Sequence, residues 1–416
     1  MTHTPLNIDL DTLMLELEEL AAFSDTPAPS VTRVLWTETD QKARSYLKTR
    51  IEQAGFSWRE DATGNIFATF EGKQPRLPKV GTGSHIDAIP HAGKYDGTVG
   101  VLGGLEAMRT LKRSGFQPRR SIELLIFNAE EPTRFGVGCL GSRMLSGALK
   151  PEEALKFRDQ EGLSFEEARQ QGGFSGDLNQ IRLHENYFFA FVELHIEQMP
   201  NLEKQGLPIG VVTAIAAPSS FKLHLTGQGG HAGAVLMPDR KDAFLAASEI
   251  ALCIEQAVKD HGSIDTVGTV GLVNVYPNAI NSIPSKVDLG VDLRDIDADR
   301  RDRVLQALLQ AAEDICLKRG IKLELEMLNQ DPPAKSDPML VRTIQKNCEN
   351  LGIAYQNMVS RAYHDSLFMA RIAPTAMVFI PCKDGISHRP DEYSSPEHIR
   401  IGVEVLAGVL RDLGEV

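Results

Sequence analysis

Three consecutive stretches near the start of the chain constrain its fold more than any other feature. The segments "KVGTGSHID" and "SIELLIFNAEEP" each predict a strand that runs into a polar end, and "GVLGGLEAMRTLKRSG" between them has helix character in spite of its glycines. A strand–helix–strand order favours a sheet that is parallel at least in part, with helices on its faces. Because such sheets hold their chemistry at the carboxyl ends of the strands, the polar ends predict a functional site there.

A different pattern begins near residue 212. From there to about residue 329 the sequence predicts several strands and two long helices, "RKDAFLAASEIALCIEQAVKDHG" and "DADRRDRVLQALLQAAEDICLKRG". This segment has the size and composition of a self-contained α+β domain. We therefore predict an α/β protein of two domains, in which residues 1–212 and 330–416 form one domain and residues 213–329 are inserted as the other.

Composition excludes several classes of protein. The 416 residues carry a formal net charge of -12, which argues against a surface that binds nucleic acid. Five cysteines without CxxC spacing predict neither a disulfide framework nor a thiolate zinc site, and reduced thiols fit the cytoplasm. The acidic start of the sequence lacks the pattern of a signal peptide, and no apolar stretch is long enough to span a membrane. We expect a cytoplasmic protein without nucleic-acid or membrane partners.

Polar residues gather in four clusters, each placed where a predicted apolar strand ends. The clusters are His85 with Asp87 and Asp96, Glu130 with Glu131, His195 with Glu197, and His388. Imidazoles and carboxylates without a thiolate suit Zn²⁺, Mn²⁺, Co²⁺ or Ni²⁺. Each cluster alone would fit a solvated strand end, but the four together predict a metal site.

Two of these clusters carry more specific expectations. Because alternate side chains of a strand share a face, Asp87 is expected to hydrogen-bond the far nitrogen of His85. The adjacent acids Glu130 and Glu131 can divide two tasks, so that one binds metal and the other moves protons.

Six ordered motifs carry a resemblance to a known family. They are "GSHIDAIPHAGKYDG", "FNAEEPTRFG", "VELHIEQ", "GGHAGAVLMP", "NSIPSKVDLGVDLRD" and "GISHRPDEYSS". From about residue 35 to 410 the chain resembles the M20 metallopeptidase superfamily, in its amidase, hydantoinase and carbamoylase branch. The resemblance implies a catalytic domain of the phosphorylase/hydrolase type that binds two metal ions, and an inserted lid or dimerisation domain.

The resemblance also implies roles for individual residues of the metal site. The implied ligands are His85 and His195 on one ion, Glu131 and His388 on the other, and Asp96 as the bridge. Glu130 would be the general base, and Asp87 the acid that supports the site. The implied cofactors are two divalent ions per subunit, Mn²⁺ first, with Zn²⁺, Co²⁺ or Ni²⁺ as alternatives.

Further residues match positions that contact the substrate in the family. His231 would reach into the site of a partner subunit in a homodimer and stabilise the oxyanion. Asn281 and Arg294 would bind polar groups of the substrate, with Gln198 and His364 as additional contacts. Without the family, His231 would be a turn histidine and Arg294 a solvated charge at a strand end.

The stretch "SRAYHDSLFMARI" bears on the substrate. It resembles ureidoglycolate amidohydrolases more than the allantoate and N-carbamoyl-L-amino-acid enzymes, and Ala362 with Tyr363 should reshape the pocket floor. This implies hydrolysis of a small ureido acid such as (S)-ureidoglycolate to ammonia and carbon dioxide, in purine catabolism. Allantoate or an N-carbamoyl-L-amino acid is the alternative substrate. Two different functions also fit the motifs, namely an aminoacylase or exopeptidase of the superfamily and a dimeric binding protein without catalysis.

Overall fold

The computed structural model describes residues 6–416, so residues 1–5 of the predicted outer domain lie outside the described part. The chain divides into two compact units, of which the first comprises the segments up to Thr213 and from Lys335 to Val416. The second unit is Ala214–Ala334. None of the helices formed by residues 6–416 combines the length and the apolar character that a bilayer crossing requires.

Helices and strands alternate through much of the chain. The helices are α1 (Leu10–Ala21), α2 (Glu38–Gln53), α3 (Thr98–Arg113), α4 (Leu140–Ser146), α5 (Pro151–Ala154), α6 (Phe165–Gln171), α7 (Asn201–Gln205), α8 (Ala243–His261), α9 (Ala298–Arg319), α10 (Pro338–Leu351), α11 (Asp365–Met369) and α12 (Pro396–Glu415). The strands are β1 (Val31–Arg33), β2 (Ser57–Glu60), β3 (Ile66–Phe70), β4 (Lys79–His85), β5 (Ala88–Ala92), β6 (Ile122–Phe127), β7 (Phe188–Ile196), β8 (Ile209–Ile215), β9 (Ala217–Thr226), β10 (Gly230–His231), β11 (Val267–Tyr276), β12 (Ser282–Ile283), β13 (Lys286–Asp295), β14 (Lys322–Gln330), β15 (Ala334–Lys335), β16 (Tyr355–Ser360) and β17 (Thr375–Ile380).

The first unit is built on one large mixed sheet. Its strands run in the order β15-β8-β17-β7-β4-β6-β3-β2, with β16 paired to β8. The neighbours β17, β7, β4 and β6 are parallel, whereas β8, β3 and β2 pair antiparallel at the margins. Every residue of β6 and β17 is buried, as expected for parallel strands with both faces covered. The predicted α/β fold with parallel central strands is confirmed.

Helix α3 lies close against this parallel centre, which explains its glycines. A Cβ atom at Gly100 would lie 2.3 Å from the carbonyl oxygen of Leu194 in β7. The glycine that weakens the helix signal in the sequence is therefore what allows the helix to approach the strand. Leu102 and Leu105 of α3 are fully buried in the same core as Val403 of α12.

The second unit is a two-layer α+β arrangement. Its sheet has the order β11-β13-β9-β14, and every pair is antiparallel. Buried and partly exposed residues alternate along β13, so one face of the sheet is covered. Phe221 and Leu289 of the strands share a buried cluster with Ile250 of α8 and Leu308 of α9, which places the two long helices on that face.

Candidate metal centre

The four parallel strands bring the predicted polar clusters to one edge of the sheet. His85 is the last residue of β4, and His195 is the last but one of β7. Glu130 and Glu131 follow β6, and His388 lies in the loop after β17. Because these strands are adjacent and parallel, their carboxyl ends meet, and Asp96 joins them from the loop before α3.

Two groups of donor atoms converge there and share Asp96. His85, Asp96 and His195 form one group and Asp96, Glu131 and His388 the other, each with its donor atoms within 4.8 Å of one another. Asp96 Oδ1 lies 3.4 Å from His85 Nε2 and 3.2 Å from His195 Nε2. Its Oδ2 lies 3.4 Å from His388 Nε2, which is also 3.1 Å from Glu131 Oε1. One carboxylate thus faces three imidazoles.

The tautomers of the two buried histidines fit a metal ion. The Nδ1 atoms of His85 and His195 lie 3.1 Å and 2.9 Å from the carbonyl oxygens of Asp87 and Ile196. A carbonyl can only accept, so each Nδ1 carries a proton, and in the neutral ring each Nε2 then presents a lone pair. Imidazole lone pairs and carboxylate oxygens that converge in this way favour a bound cation. The residues present therefore fit divalent metal ions.

The electrostatics of the buried groups support the same conclusion. Burial alone would lower the pKa of His85, yet Asp87 and Asp96 raise that pKa well above its ordinary value. Burial would raise the pKa of Asp96, but His195 and His85 hold it well below the usual range. Burial raises the pKa of Glu131, against the effect of His388. The site is thus short of positive charge, which bound cations would supply.

Glu130 stands beside the first donor group. Its Oε2 lies 3.8 Å from His85 Nε2, and the thiol of Cys139 donates to its Oε1 at 3.4 Å. Burial first, and then the neighbouring acids, raise the pKa of Glu130 well above its usual range against the opposing effect of His85. A carboxylate in this environment can accept a proton and return it.

Asp87 supports these residues through the backbone. Its carboxylate accepts from the N–H groups of Glu130 at 3.2 Å and of Glu131 at 2.9 Å. The carboxylate Oδ1 is 3.5 Å from His85 Nδ1, whereas the carbonyl of Asp87 is closer, at 3.1 Å. The bond expected from the Asp87 side chain to His85 is thus made chiefly by the main chain, because Asp87 lies beyond the end of β4.

Backbone strain is concentrated around the site. Ala129, Cys139, Gln198 and His388 have φ values of 54°, 55°, 56° and 59°, in the left-handed region that is unfavourable for residues other than glycine. Gly97, at φ 67°, carries the N-terminus of α3, and its N–H donates to His195 Nε2 at 3.2 Å. Such strain persists where surrounding contacts hold the chain in place, and functional sites are common examples.

Two more residues predicted from the sequence, Gln198 and His364, lie beside the metal ligands, whereas a third, Glu197, caps a helix. Gln198 donates from Nε2 to Asp96 Oδ2 at 2.7 Å, and its buried Oε1 has no hydrogen-bond partner among the described residues. His364 packs edge-on against His195, with ring centroids 4.6 Å apart. Burial and the neighbouring His195 lower the pKa of His364 well below its ordinary value. Glu197 instead accepts from the N–H groups of Asn201 and Leu202, so it caps α7.

The remaining predicted residues belong to the second unit. His231 is exposed on β10, and its Nδ1 accepts from the N–H of Gly233 at 3.1 Å. Asn281 is exposed, and its carbonyl accepts from Ala232 at 3.0 Å. The guanidinium of Arg294 contacts the carboxylate of Asp292, with Nε to Oδ1 at 2.7 Å. The structure does not bring these three residues into the donor groups of the first unit.

Sequence reasoning missed several buried groups that contact the site. Glu392 accepts from the N–H groups of Tyr95 and Asp96, at 2.8 Å and 3.0 Å. Glu193 is two residues before His195 and forms a third donor group with His195 and His364. The alternation "ELH" was a signal for Glu193, since residues i and i+2 of a strand share a face. Glu392 lies within the motif "GISHRPDEYSS", but nothing local distinguishes it from a solvated acid.

Comparisons with known proteins cover nearly the whole chain. The chain is 54% identical to the ureidoglycolate hydrolase of Arabidopsis thaliana over 415 residues, which is 98% of this chain and 87% of that protein. It is 38% identical to the N-carbamoyl-L-amino acid amidohydrolase of Geobacillus stearothermophilus over 395 residues, 95% of this chain and 96% of that one. These relatives are hydrolases of carbon–nitrogen bonds other than peptide bonds, which confirms the predicted class of enzyme.

Solved structures agree with the sequence relatives. The crystal structures of AtUAH in complex with glyoxylate and with (S)-hydroxyglycine each match with a TM-score of 0.88 at 53% identity, and cover 98% of this chain and 98% of theirs. The model of the peptidase family M20/M25/M40 matches residues 81–412. M20 enzymes depend on metal ions, and the two donor groups of the first unit are the candidates to hold them here. The chain belongs to the peptidase family M20/M25/M40, as its motifs predict.

Proposed function

We propose that the chain is a metal-dependent amidohydrolase that cleaves the ureido C–N bond of (S)-ureidoglycolate. The observation that carries the hydrolytic part is the pair of donor groups that share Asp96. The substrate is supported by the 54% identity to a ureidoglycolate hydrolase over 98% of the chain. His85 and His195 would hold one ion, Glu131 and His388 the other, and Asp96 would bridge them, with Mn²⁺ as the first metal to test.

The ions would supply activated water and polarise the carbonyl of the ureido group. Glu130 would take the proton of the attacking water through Oε2, since its Oε1 is held by Cys139. Glu130 would then return that proton to the leaving nitrogen. Asp87 would hold Glu130 and Glu131 in position by accepting hydrogen bonds from their N–H groups.

The charge of the substrate indicates which residues would bind it. Ureidoglycolate carries one carboxylate, and Arg294 is the residue that we propose to hold it, in exchange for Asp292. Asn281, His364 and the unpartnered Oε1 of Gln198 would contact its other polar groups.

The tautomer of His231 suits an oxyanion donor. Because Nδ1 accepts from a backbone N–H, the neutral ring carries its proton on Nε2. We propose that this exposed N–H of one subunit stabilises the oxyanion in the site of the other. This makes the second unit, with its exposed His231, a lid and dimerisation domain.

The surface of the second unit supports a homodimer. Strand β11 is at an edge of its sheet, and its Val273 and Tyr276 are 49% and 64% exposed. Leu252 of α8 is 67% exposed. An exposed edge strand with apolar side chains is a template for pairing with another chain. Val273→Lys should therefore convert a dimer to a monomer in sedimentation equilibrium, whereas a monomeric parent protein would contradict the proposal.

The chemistry of the proposed reaction accounts for the two ligands of AtUAH. Water and ureidoglycolate would give ammonia, carbon dioxide and hydroxyglycine, with every atom balanced. Hydroxyglycine can then lose a second ammonia to become glyoxylate. The ligands of AtUAH are therefore the direct product and its breakdown product. A pocket that holds these small acids favours ureidoglycolate over the larger allantoate.

The loop that distinguishes the branches is held firmly in this chain. Arg143 donates to the hydroxyl of Tyr363 at 3.2 Å, and its guanidinium lies 4.3 Å from the ring centroid of Phe368. Tyr363 is therefore held in place, and we propose that it narrows the pocket for a small ureido acid.

Ammonia release from a panel of substrates tests the assignment. Ureidoglycolate, allantoate, N-carbamoyl-L-amino acids and N-acetyl amino acids are compared, each with Mn²⁺ or with a chelator. We expect Mn²⁺-dependent release from ureidoglycolate at the highest kcat/KM. Preference for an N-carbamoyl-L-amino acid would make this chain resemble its Geobacillus relative instead, and release of amino acid without ammonia would make it an aminoacylase.

The role of the base is tested by Glu130→Gln. This substitution preserves the size of the side chain but cannot accept the proton, so kcat should fall by at least about 100-fold with the metal content unchanged. The matched control is Glu185→Gln, at an exposed position outside the site, which should leave kcat unchanged. Retention of kcat in Glu130→Gln would refute the assignment of the base.

A further inference from the structure

His388 is the most exposed of the proposed ligands, and it lies in a loop rather than on a strand. Its side chain is 44% exposed, whereas those of His85 and His195 are at most 2% exposed. The loop is closed at its base by a hydrogen bond from Lys383 N to the carbonyl of Tyr393 at 2.8 Å. Beyond that closure, the position of His388 depends on side chains that hold the loop to the rest of the site.

Glu392 is the side chain that joins this loop to the loop of Asp96. Its Oε1 accepts from the backbone N–H groups of Tyr95 at 2.8 Å and Asp96 at 3.0 Å. Its Oε2 accepts from the hydroxyl of Ser387, the residue before His388, at 2.9 Å. The same hydroxyl also contacts Asp96 Oδ2. One buried carboxylate is thus bonded to both ligand loops.

The packing around Glu392 leaves it little freedom. A Cβ atom at Gly93 would lie 2.3 Å from Glu392 Cβ and 2.6 Å from its Oε1, so the glycine loop lies directly on the acid. Glu392 is only 4% exposed. Glu131, the third member of the donor group, is instead positioned by Asp87. Glu392 therefore supports the loops of Asp96 and His388 but not that of Glu131.

We infer that Glu392 is a positioning residue that sets the affinity of the Asp96–Glu131–His388 group for its metal ion. It fixes the distance between Asp96 and His388, which must both face one ion. His85 and His195 lie on strands and do not touch Glu392, so their group depends on Glu392 only through the shared Asp96 and should be affected less. The inference rests on the proposal that the chain binds two ions.

Titration of the metal-free full-length protein with Mn²⁺ by calorimetry tests the inference. Loss of a residue that supports a ligand typically weakens metal binding by about 10- to 100-fold. Glu392→Ala should therefore weaken one of two binding events by about that factor and leave the other within about threefold. Glu392→Gln should retain both events, because its amide oxygen still accepts from the two N–H groups and its amide nitrogen can donate to Ser387.

The matched control is Glu106→Ala, which removes a buried acid of α3 remote from the proposed ligands. Glu106 also accepts a backbone N–H, that of Asp9 at 2.9 Å, and it is 0% exposed. This variant should lower the melting temperature without changing either binding event. A second variant, Gly93→Ala, disturbs Glu392 without deleting it and should weaken the same event if Glu392→Ala fails to fold.

Each outcome has one meaning. The inference would be overturned if both Mn²⁺-binding events were unchanged in Glu392→Ala. If that variant does not fold, the same result in Gly93→Ala would overturn it. Either result would leave the proposed function intact. Equal weakening of both events would also overturn the inference, because the effect would then be general. A parent protein that binds fewer than two ions would instead contradict the two-ion function itself.

Discussion

Replacement of Gly97 by alanine tests how closely the backbone crowds the metal centre. A Cβ atom at this position would lie 2.5 Å from both Cδ2 and Nε2 of His85, whose Nε2 faces Asp96. Ordinary contacts of this kind are 3.4–4 Å, so the ring would have to retreat by about 1 Å. Ligand distances in metal sites tolerate only about 0.2 Å. The substitution should therefore damage metal binding directly.

The size of the effect has two parts. Alanine at a φ of 67° costs about 1–2 kcal/mol of stability, whatever surrounds it. A displacement of about 1 Å at a catalytic centre reduces turnover by about 100-fold. We expect Gly97→Ala to bind Mn²⁺ at least tenfold more weakly at the site of His85 and to lose about 100-fold in kcat at Mn²⁺ concentrations near those that saturate the parent protein.

Gly115 provides the matched control because it flanks the other end of α3. Its φ is 78°, and apart from its chain neighbours no atom of residues 6–416 lies within 4 Å of the position of its Cβ. Gly115→Ala should therefore show the backbone cost alone, with unchanged metal affinity and kcat. Both variants are measured by thermal unfolding, Mn²⁺ calorimetry and ammonia release. Equal losses in the two variants, or normal metal binding in Gly97→Ala, would refute the argument from crowding.

Two further predictions follow from contacts outside the ligand set. Cys139→Ala should lower kcat about 3- to 10-fold without changing KM or metal content, because it removes the donor to Glu130, whereas Cys139→Ser should keep most activity. His224 lies between Asp288 and Glu326, whose carboxylates raise its pKa in the folded protein. The positive charge of His224 therefore stabilises the fold fully below the unfolded-state pKa of about 6.5. That stabilisation is lost as pH rises through the higher folded-state pKa. His224→Gln should thus lower the free energy of unfolding more at pH 5.5 than at pH 9.5. The difference between the two losses should be only about 0.5 kcal/mol, because the ring is partly exposed. An equal loss at both pH values, measured by denaturant unfolding, would contradict this.

The residues that could be predicted from sequence are those with a local signal. His85, His195 and the pair Glu130–Glu131 each follow or end an apolar run, and parallel pairing of those runs is enough to bring them together. His388 lies well beyond the end of β17, so the apolar run before it locates it less closely than the others, and its role came from the family motif. Roles that the resemblance implies for His231, in the second unit, stay predictions until they are measured.

The fold was predictable for a related reason. The strands β6 and β17 are apolar almost throughout, and α3 connects β4 to β6, so the order of elements is visible in the sequence. The antiparallel margins were harder, because β8 pairs with β17 across a long separation in sequence. Pairing of that kind depends on which strand edge is left uncovered, which no local pattern records.

Buried polar groups that support one another from distant parts of the chain have no local signal. Glu392 and the N–H of Asp96 are 296 residues apart, and Ser142 and Asp365, which share a buried hydrogen bond, are 223 apart. A buried acid of this kind looks like a solvated one until the fold supplies its donors, since burial without partners would cost several kcal/mol. The predicted ligands specify which atoms bind metal. The distant supporting groups specify where those atoms are held, so differences in metal affinity between proteins with the same ligands should be sought in the supporting groups.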